Sequence, residues 1–213
     1  MTIDIFNNLD EISLDLIVNE LQKGSVGIFP TDTVYGIGCD ALNIKALKNL
    51  YKFKYRSLDK PICILVSNMD MANKFIKNIG HIEKKLIENF WPGALTIIFD
   101  KSDIIPSALN SGLSTIGVRM PNNKACLDLI NKFGSAIATS SANISNRQPA
   151  NSIEDFIKDF AGKVSFILDG GKIKNKIPST IVRVENNEIQ ILREGSISKS
   201  DILKCFGGNI NVR

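Results

Sequence analysis

Residues 25–41 read SVGIFPTDTVYGIGCDA: a short apolar run stopped by a proline, then a stretch of threonine, aspartate, tyrosine and glycine. A continuous apolar run of this length, bounded by a turn signal, predicts a strand buried on both faces. Upstream, residues 9–23 carry Ile12, Leu16, Ile17 and Leu21 at helical spacing, and Gly24 is placed to stop that helix. Downstream, Asn43 is a good N-cap for a helix through residue 52, with Ile44, Leu47 and Leu50 on its inner side.

The same alternation runs on. Pro61 opens a second buried strand, ICILV, and helix-like segments follow at 69–77 and 82–90. Strand-like runs at 95–99 and 115–119, a helix at 124–132 and a short strand at 136–138 come next. Ser152 with Asp155 resembles a capping box for the helix IEDFIKDFAG. Strands at 166–168, 180–184 and 189–192 complete the set, the last two joined as a hairpin through 185–188, and a short helix at 199–206 ends at Gly207 and Gly208. Interspersed helices and fully apolar strands predict an α/β fold: a twisted, open, mixed sheet flanked by helices. With no repeat, low-complexity tract or linker, residues 1–213 read as a single domain with a core of about 10–206.

Bulk composition narrows the function. At 213 residues, 44% hydrophobic and 23% charged, the chain can bury a core without metal or disulfide staples. No apolar run approaches the roughly 20 residues of a membrane span, and the acidic, polar start MTIDIFNNLDE resembles neither a signal nor a transit peptide. A cytoplasmic protein with no membrane partner is expected. Cys39, Cys63, Cys126 and Cys205 form no close pair and read as reduced, mostly buried thiols. The one histidine, His81, falls in the helix-like stretch GHIEKKLIENF and reads as a solvated helix residue, which weakens hydrolase and metalloenzyme readings. Net charge of +4 suits an anionic ligand but is far below the density of a dedicated nucleic-acid binder.

Four polar stretches are unusual for connectors. PTDTVYGIGCDA follows a buried strand, where α/β folds place ligands, and reads either as a tight loop or as a ligand site. Lys52, Lys54, Arg56 and Lys60 in YKFKYRSLDKPI are either solvated cations at a helix end or an anion site. ATSSANISNRQPA, residues 138–150, is either a flexible polar loop or a hydroxyl-rich cradle for phosphate or carboxylate oxygens. Lastly Arg119 in GVRMP, Ser179 and Thr180 in PSTIV and Arg193 in LREGSI place polar groups in otherwise apolar strands, where a charge must find a partner or an anionic ligand. Neither GxxxxGK[ST] nor GxGxxG is present.

In order, PTDTVYGIGCDA, KYRxxDKP, WPGALT, VRMP, SSANIS, PSTIV and LREG resemble the pattern of the threonylcarbamoyl-AMP synthase (YrdC-domain) family, over about residues 10–206. That resemblance implies a YrdC-like fold with a large, positively lined cleft. It also implies that L-threonine, bicarbonate and ATP yield threonylcarbamoyl-AMP and pyrophosphate, the product passing to a separate transferase complex that modifies tRNA. Carried over by position, Lys54, Arg56, Lys60, Thr115, Ser141, Asn143 and Arg193 would serve ATP, and Thr33, Arg119, Thr139 and Ser179 would serve threonine. Thr139, Ser141 and Asn143 together would line the threonine and phosphate side. No nucleophile is implied, and Mg²⁺ would arrive with ATP, held by phosphates and waters. Three positions depart from the family pattern: Tyr55 and Asn146 where glycine is usual, and Ala94 where a second proline is usual. The extra C-terminal domain of longer members is not expected. A non-catalytic RNA-binding module is the competing reading, and would need exposed aromatics among the cations, of which Tyr51, Phe53 and Tyr55 are candidates. A relative within hydrogenase maturation factors fits less well, because the zinc-finger cysteines that accompany it are missing.

Overall fold

A computed structural model describes residues 3–7, 9–145, 152–173 and 177–213. Its strands are β1 (Asp4–Phe6), β2 (Gly27–Phe29), β3 (Gly36–Asp40), β4 (Cys63–Leu65), β5 (Leu95–Asp100), β6 (Thr115–Arg119), β7 (Ile137–Ser141), β8 (Phe166–Leu168), β9 (Thr180–Glu185) and β10 (Glu188–Arg193). Its helices are α1 (Glu11–Gln22), α2 (Ile44–Phe53), α3 (Met69–Phe75), α4 (His81–Phe90), α5 (Ser107–Asn110), α6 (Lys124–Phe133), α7 (Ile153–Phe160) and α8 (Lys199–Cys205). One open sheet runs β1-β8-β2-β3-β7-β4-β6-β5-β9-β10. It is mixed: β4 pairs parallel with β6 and β5 with β9, whereas β3–β7, β4–β7 and β5–β6 are antiparallel.

Helix starts follow local chemistry. Asn43 Oδ1 accepts from Ala46 N at 3.0 Å and Asn123 Oδ1 from Cys126 N at 3.0 Å, each satisfying an otherwise orphaned amide. Ser152 Oγ accepts from Asp155 N at 3.2 Å, but the reciprocal capping box is at Ser198 and Asp201. Ile44, expected on the inner side of α2, is half exposed; Ala46, Leu47, Leu50 and Tyr51 form the buried face instead. His81 is the exposed first residue of α4. Asn186 and Asn187, both at positive φ, make the expected β9–β10 turn.

Within residues 25–41 the polar stretch after Pro30 is in part a strand. GIGCD is a strand, β3, folded back antiparallel on β2 so that Gly27 faces Gly38 and Phe29 faces Gly36. Its glycines are there for close approach: a Cβ on Gly36 or Gly38 would lie 3.1 Å from the ring of Phe29, and one on Gly38 only 2.5 Å from the Ala138 carbonyl. β7 likewise runs on into the polar stretch as far as Ser141.

Period-two alternation then separates two faces across the sheet centre. Cys39, Ala138, Ile64, Val118, Ile97 and Val182 are register neighbours and fully buried. One residue along each strand, Thr139, Cys63, Gly117 and Ile98 form a row on the other face, with Leu65, Arg119 and Ile181 in the next. That second face carries a cleft.

Phe29 is fully buried between the two glycines of β3. Phe29→Ala is expected to cost about 3–5 kcal/mol in urea unfolding, because the β2–β3 backbones cannot collapse into the vacated ring.

Candidate active site

A cleft of about 290 Å³ opens on this face. Its wall includes Thr33, Arg56, Cys63, Leu65, Thr96, Arg119, Thr139, Ser141, Ser179 and Arg193, drawn from the β2–β3 loop, the segment between α2 and β4, β4, β5, β6, β7, the residue before β9 and the end of β10. Among the described residues three guanidiniums and no carboxylate line it.

Arg119 is 6% exposed at the end of central strand β6. Its Nε donates to Gly93 O at 3.1 Å, Nη1 to Thr33 Oγ1 at 2.9 Å, and Nη2 pairs with the Asp32 carboxylate. Three of its five N–H groups are thereby used, leaving one on each terminal nitrogen. Thr33 is aimed by its own loop: Thr31 Oγ1 lies 3.1 Å from Thr33 Oγ1, accepts from Thr33 N at 3.2 Å and donates to Val34 O at 2.6 Å. Tyr35 ties the loop to the segment after β8, since its hydroxyl donates to Gly171 O at 2.8 Å and accepts from Gly170 N at 2.9 Å. Burial pushes that phenol up to about 12.

Arg56 and Arg193 differ from Arg119. Arg56 donates to two carbonyls, Lys60 O at 3.0 Å and Pro61 O at 2.9 Å. Arg193 reaches Ser179 O at 2.8 Å and Ser179 Oγ at 3.2 Å. Neither forms an ion pair among the described residues. Burial, with Arg119 and Arg56 nearby, lowers the pKa of Arg193, so an anion arriving here relieves mutual repulsion.

Four expected site residues are not on the cleft wall. Thr115 begins β6, at the opposite end of the strand from Arg119, and lines a separate pocket with Glu83, Asp100 and Arg183. Lys60 is exposed and contributes its carbonyl, which accepts from Arg56 and Tyr51. Asn143 is buried behind the wall and accepts from Ser141 Oγ at 2.5 Å. Lys54 is 1% exposed, its ammonium held by Asn143 O at 2.6 Å and by Ser141 O. Burial, then Arg56, draws the Lys54 pKa down to about 7, while the two carbonyls favour the charged form. These contacts bind the end of α2 to the loop after β7.

Of the positions that depart from the family pattern, Tyr55 holds positive φ after α2, with Lys163 Nζ 5.1 Å from its exposed ring. Ala94 O accepts from Thr180 N at 3.0 Å, joining β5 to β9. Asn146 lies outside the described residues. Of the proposed stacking aromatics only Tyr55 is exposed; Tyr51 is buried and Phe53 half-buried.

Comparison with known proteins now decides the lineage. A family model for Sua5/YciO/YrdC, described as "Telomere recombination", matches residues 19–195. A putative threonylcarbamoyl-AMP synthase of Methanocaldococcus jannaschii is 34% identical, over 90% of this chain and 90% of that protein. The chain belongs to the Sua5/YciO/YrdC family. The threonylcarbamoyl-AMP synthase of Pyrococcus abyssi is 32% identical over 96% of this chain, but this chain spans only 60% of that protein. A crystal structure of P. abyssi Sua5 complexed with L-threonine superposes with a TM-score of 0.93 at 31% identity, covering 100% of this chain and 63% of that one. The Escherichia coli YciO structure shares the fold, with a TM-score of 0.85 at 20% identity.

Sequence reasoning missed Asp32, Thr96 and Lys54's true setting in this Sua5/YciO/YrdC site. For Asp32 a signal existed: a carboxylate within the loop nearest a lone arginine on an apolar strand. Lys54 generates a pH prediction. Its folded pKa is depressed, so between about 7 and its unfolded value the unfolded chain binds the extra proton and stability rises with pH. Relative to Lys54→Met, the ligand-free protein is expected to gain stability from about pH 7 to about pH 9 in urea titrations. A difference that stays flat or falls would contradict the depressed lysine.

Proposed function

We propose that the chain is an L-threonylcarbamoyladenylate synthase, a nucleotidyltransferase that makes threonylcarbamoyl-AMP and pyrophosphate from L-threonine, bicarbonate and ATP. The observation that carries this is the division of charge in the cleft. Arg119 is neutralised by Asp32 yet keeps two N–H groups, which suits a zwitterionic amino acid bound by its carboxylate. Arg56 and Arg193 have no carboxylate partner among the described residues, which suits a polyphosphate. The threonylcarbamoyl-AMP synthases at 32–34% identity support the same reading.

In this reading Thr33, Arg119, Thr139 and Ser179 orient threonine, while Arg56, Arg193 and Ser141 hold the triphosphate. Lys54 and Asn143 act from behind the wall by fixing the chain that presents Ser141. Threonine's amine adds to bicarbonate-derived CO₂, with net loss of water, to form a carbamate. A carbamate oxygen then bonds to the α-phosphorus as the bond to the bridging oxygen breaks and pyrophosphate leaves. The protein's part is positioning and stabilisation of negative charge rather than covalent catalysis. The wall offers guanidiniums and hydroxyls, so Mg²⁺ would enter with the nucleotide, held by phosphate oxygens and water. The product would pass to a transferase complex acting on tRNA in the cytoplasm.

Purified protein supplied with ATP, bicarbonate, Mg²⁺ and L-threonine is expected to release pyrophosphate in a threonine-dependent manner; folded protein that releases none would falsify the assignment. Arg56→Ala and Arg193→Ala should each weaken ATP binding by about ten- to hundred-fold, the loss of a charge-assisted contact at roughly 1.5–3 kcal/mol. Arg119→Ala should instead weaken threonine binding measured calorimetrically with ATP present. Unchanged affinities in these variants would reject the division of labour.

A further inference from the structure

Thr96 is a buried hydroxyl on a strand that otherwise reads as apolar, LTIIF. It faces the cleft, pairs with Ile181 of β9 and stands one step beyond the Ile97–Val118 pair, beside Arg119. Its orientation is set from below. A Cβ on Gly117 would lie 3.3 Å from the Thr96 methyl, so that methyl already rests over the glycine. A β-branched side chain has few χ1 choices, and with its methyl packed there the hydroxyl turns to Ser179 Oγ, 2.9 Å away.

The two hydroxyls carry two hydrogens but share one hydrogen bond. Ser179 Oγ also accepts from Arg193 Nη2 at 3.2 Å. One hydroxyl hydrogen of the pair therefore has no partner in the described contacts, and both residues line the cleft. On the other side of Arg119, its register partner on β4 is Leu65, which also lines the cleft and is apolar. An amino acid seated by its carboxylate on Arg119 thus meets a hydroxyl pair on one flank and a leucine on the other. Threonine's β-carbon bears one hydroxyl and one methyl, a match for both flanks.

Resting on the reading of the cleft as a threonine site, we propose that Thr96, acting with Ser179, recognises the substrate's side-chain hydroxyl and sets amino-acid specificity. A site built to hydrogen-bond a hydroxyl rejects the analogue lacking it, because its own polar groups are then left unpaired.

The test compares L-threonine with L-2-aminobutyrate, which differs only by the missing hydroxyl, in threonine-dependent pyrophosphate release. Wild-type protein is expected to favour threonine in kcat/KM by at least about 100-fold. Thr96→Val should cut that preference by about 10-fold or more while leaving the KM for ATP unchanged, and Thr96→Ser should restore it. Wild-type protein that uses both amino acids equally overturns the proposal without recourse to any variant, as does a Thr96→Val enzyme with undiminished preference. Wild-type protein inactive with threonine itself would instead overturn the synthase assignment on which the proposal rests.

Discussion

A guanidinium buried in the middle of a β-sheet is the constraint around which this cleft is organised. Burying the Arg119 guanidinium at 6% exposure is costly unless its donors are met, and the partners it finds are not on the neighbouring strands. They come from the loop between β2 and β3, as Asp32 and Thr33, and from the turn before β5, as Gly93 O. Satisfying one charge therefore fixes two connections that are distant in sequence. The internal bonds of Thr31 and Thr33 and the Tyr35 tie to residues 169–171 stiffen the same loop. The cleft wall is held in place by these contacts without any ligand.

Around that anchor, charge is graded. The Arg119 end is locally balanced by its pair with Asp32, whereas Arg56 and Arg193 have no ion-pair partner among the described residues. Lys54, the fully buried amine of the KYR stretch, directs hydrogen bonds to backbone carbonyls and ties the end of α2 to the chain after β7. Small residues keep the floor low: a Cβ on Gly117 would come within 2.7 Å of Cys63 Sγ. Binding chemistry here depends as much on where side chains are absent as on where they are present.

Much of the fold was legible because local rules agree with the tertiary outcome. Apolar runs such as ICILV and VGIF became central strands, and Asn43, Ser152 and the Asn186–Asn187 turn did what their side chains favour. β3 was illegible because two of its five residues are glycines, poor strand formers that are tolerated only since Phe29 and Ala138 approach so closely. Ile44 looked inward by spacing, yet α2 turns Ala46 and Tyr51 inward instead, a rotation set by contacts with β3 and α5. Thr115 and Arg119 lie on one strand, but β6 runs its length between two pockets, and sequence distance says nothing of which end opens where.

By itself the sequence determined most of the helices and strands (β1, β3 and α5 excepted), the mixed α/β character and the set of motifs that mark the family, all of which rest on local periodicity and residue chemistry. Tertiary structure alone decided that Asp32 answers Arg119, that Lys54 lies behind the cleft and that Thr96 stands at its floor. Each of those depends on segments more than 80 residues apart in sequence being brought together, with β7 and β6 flanking β4 and β5 flanking β9. A side chain's burial, and therefore whether its charge is a ligand site or a structural tie, is a property of that juxtaposition and not of its neighbours in sequence.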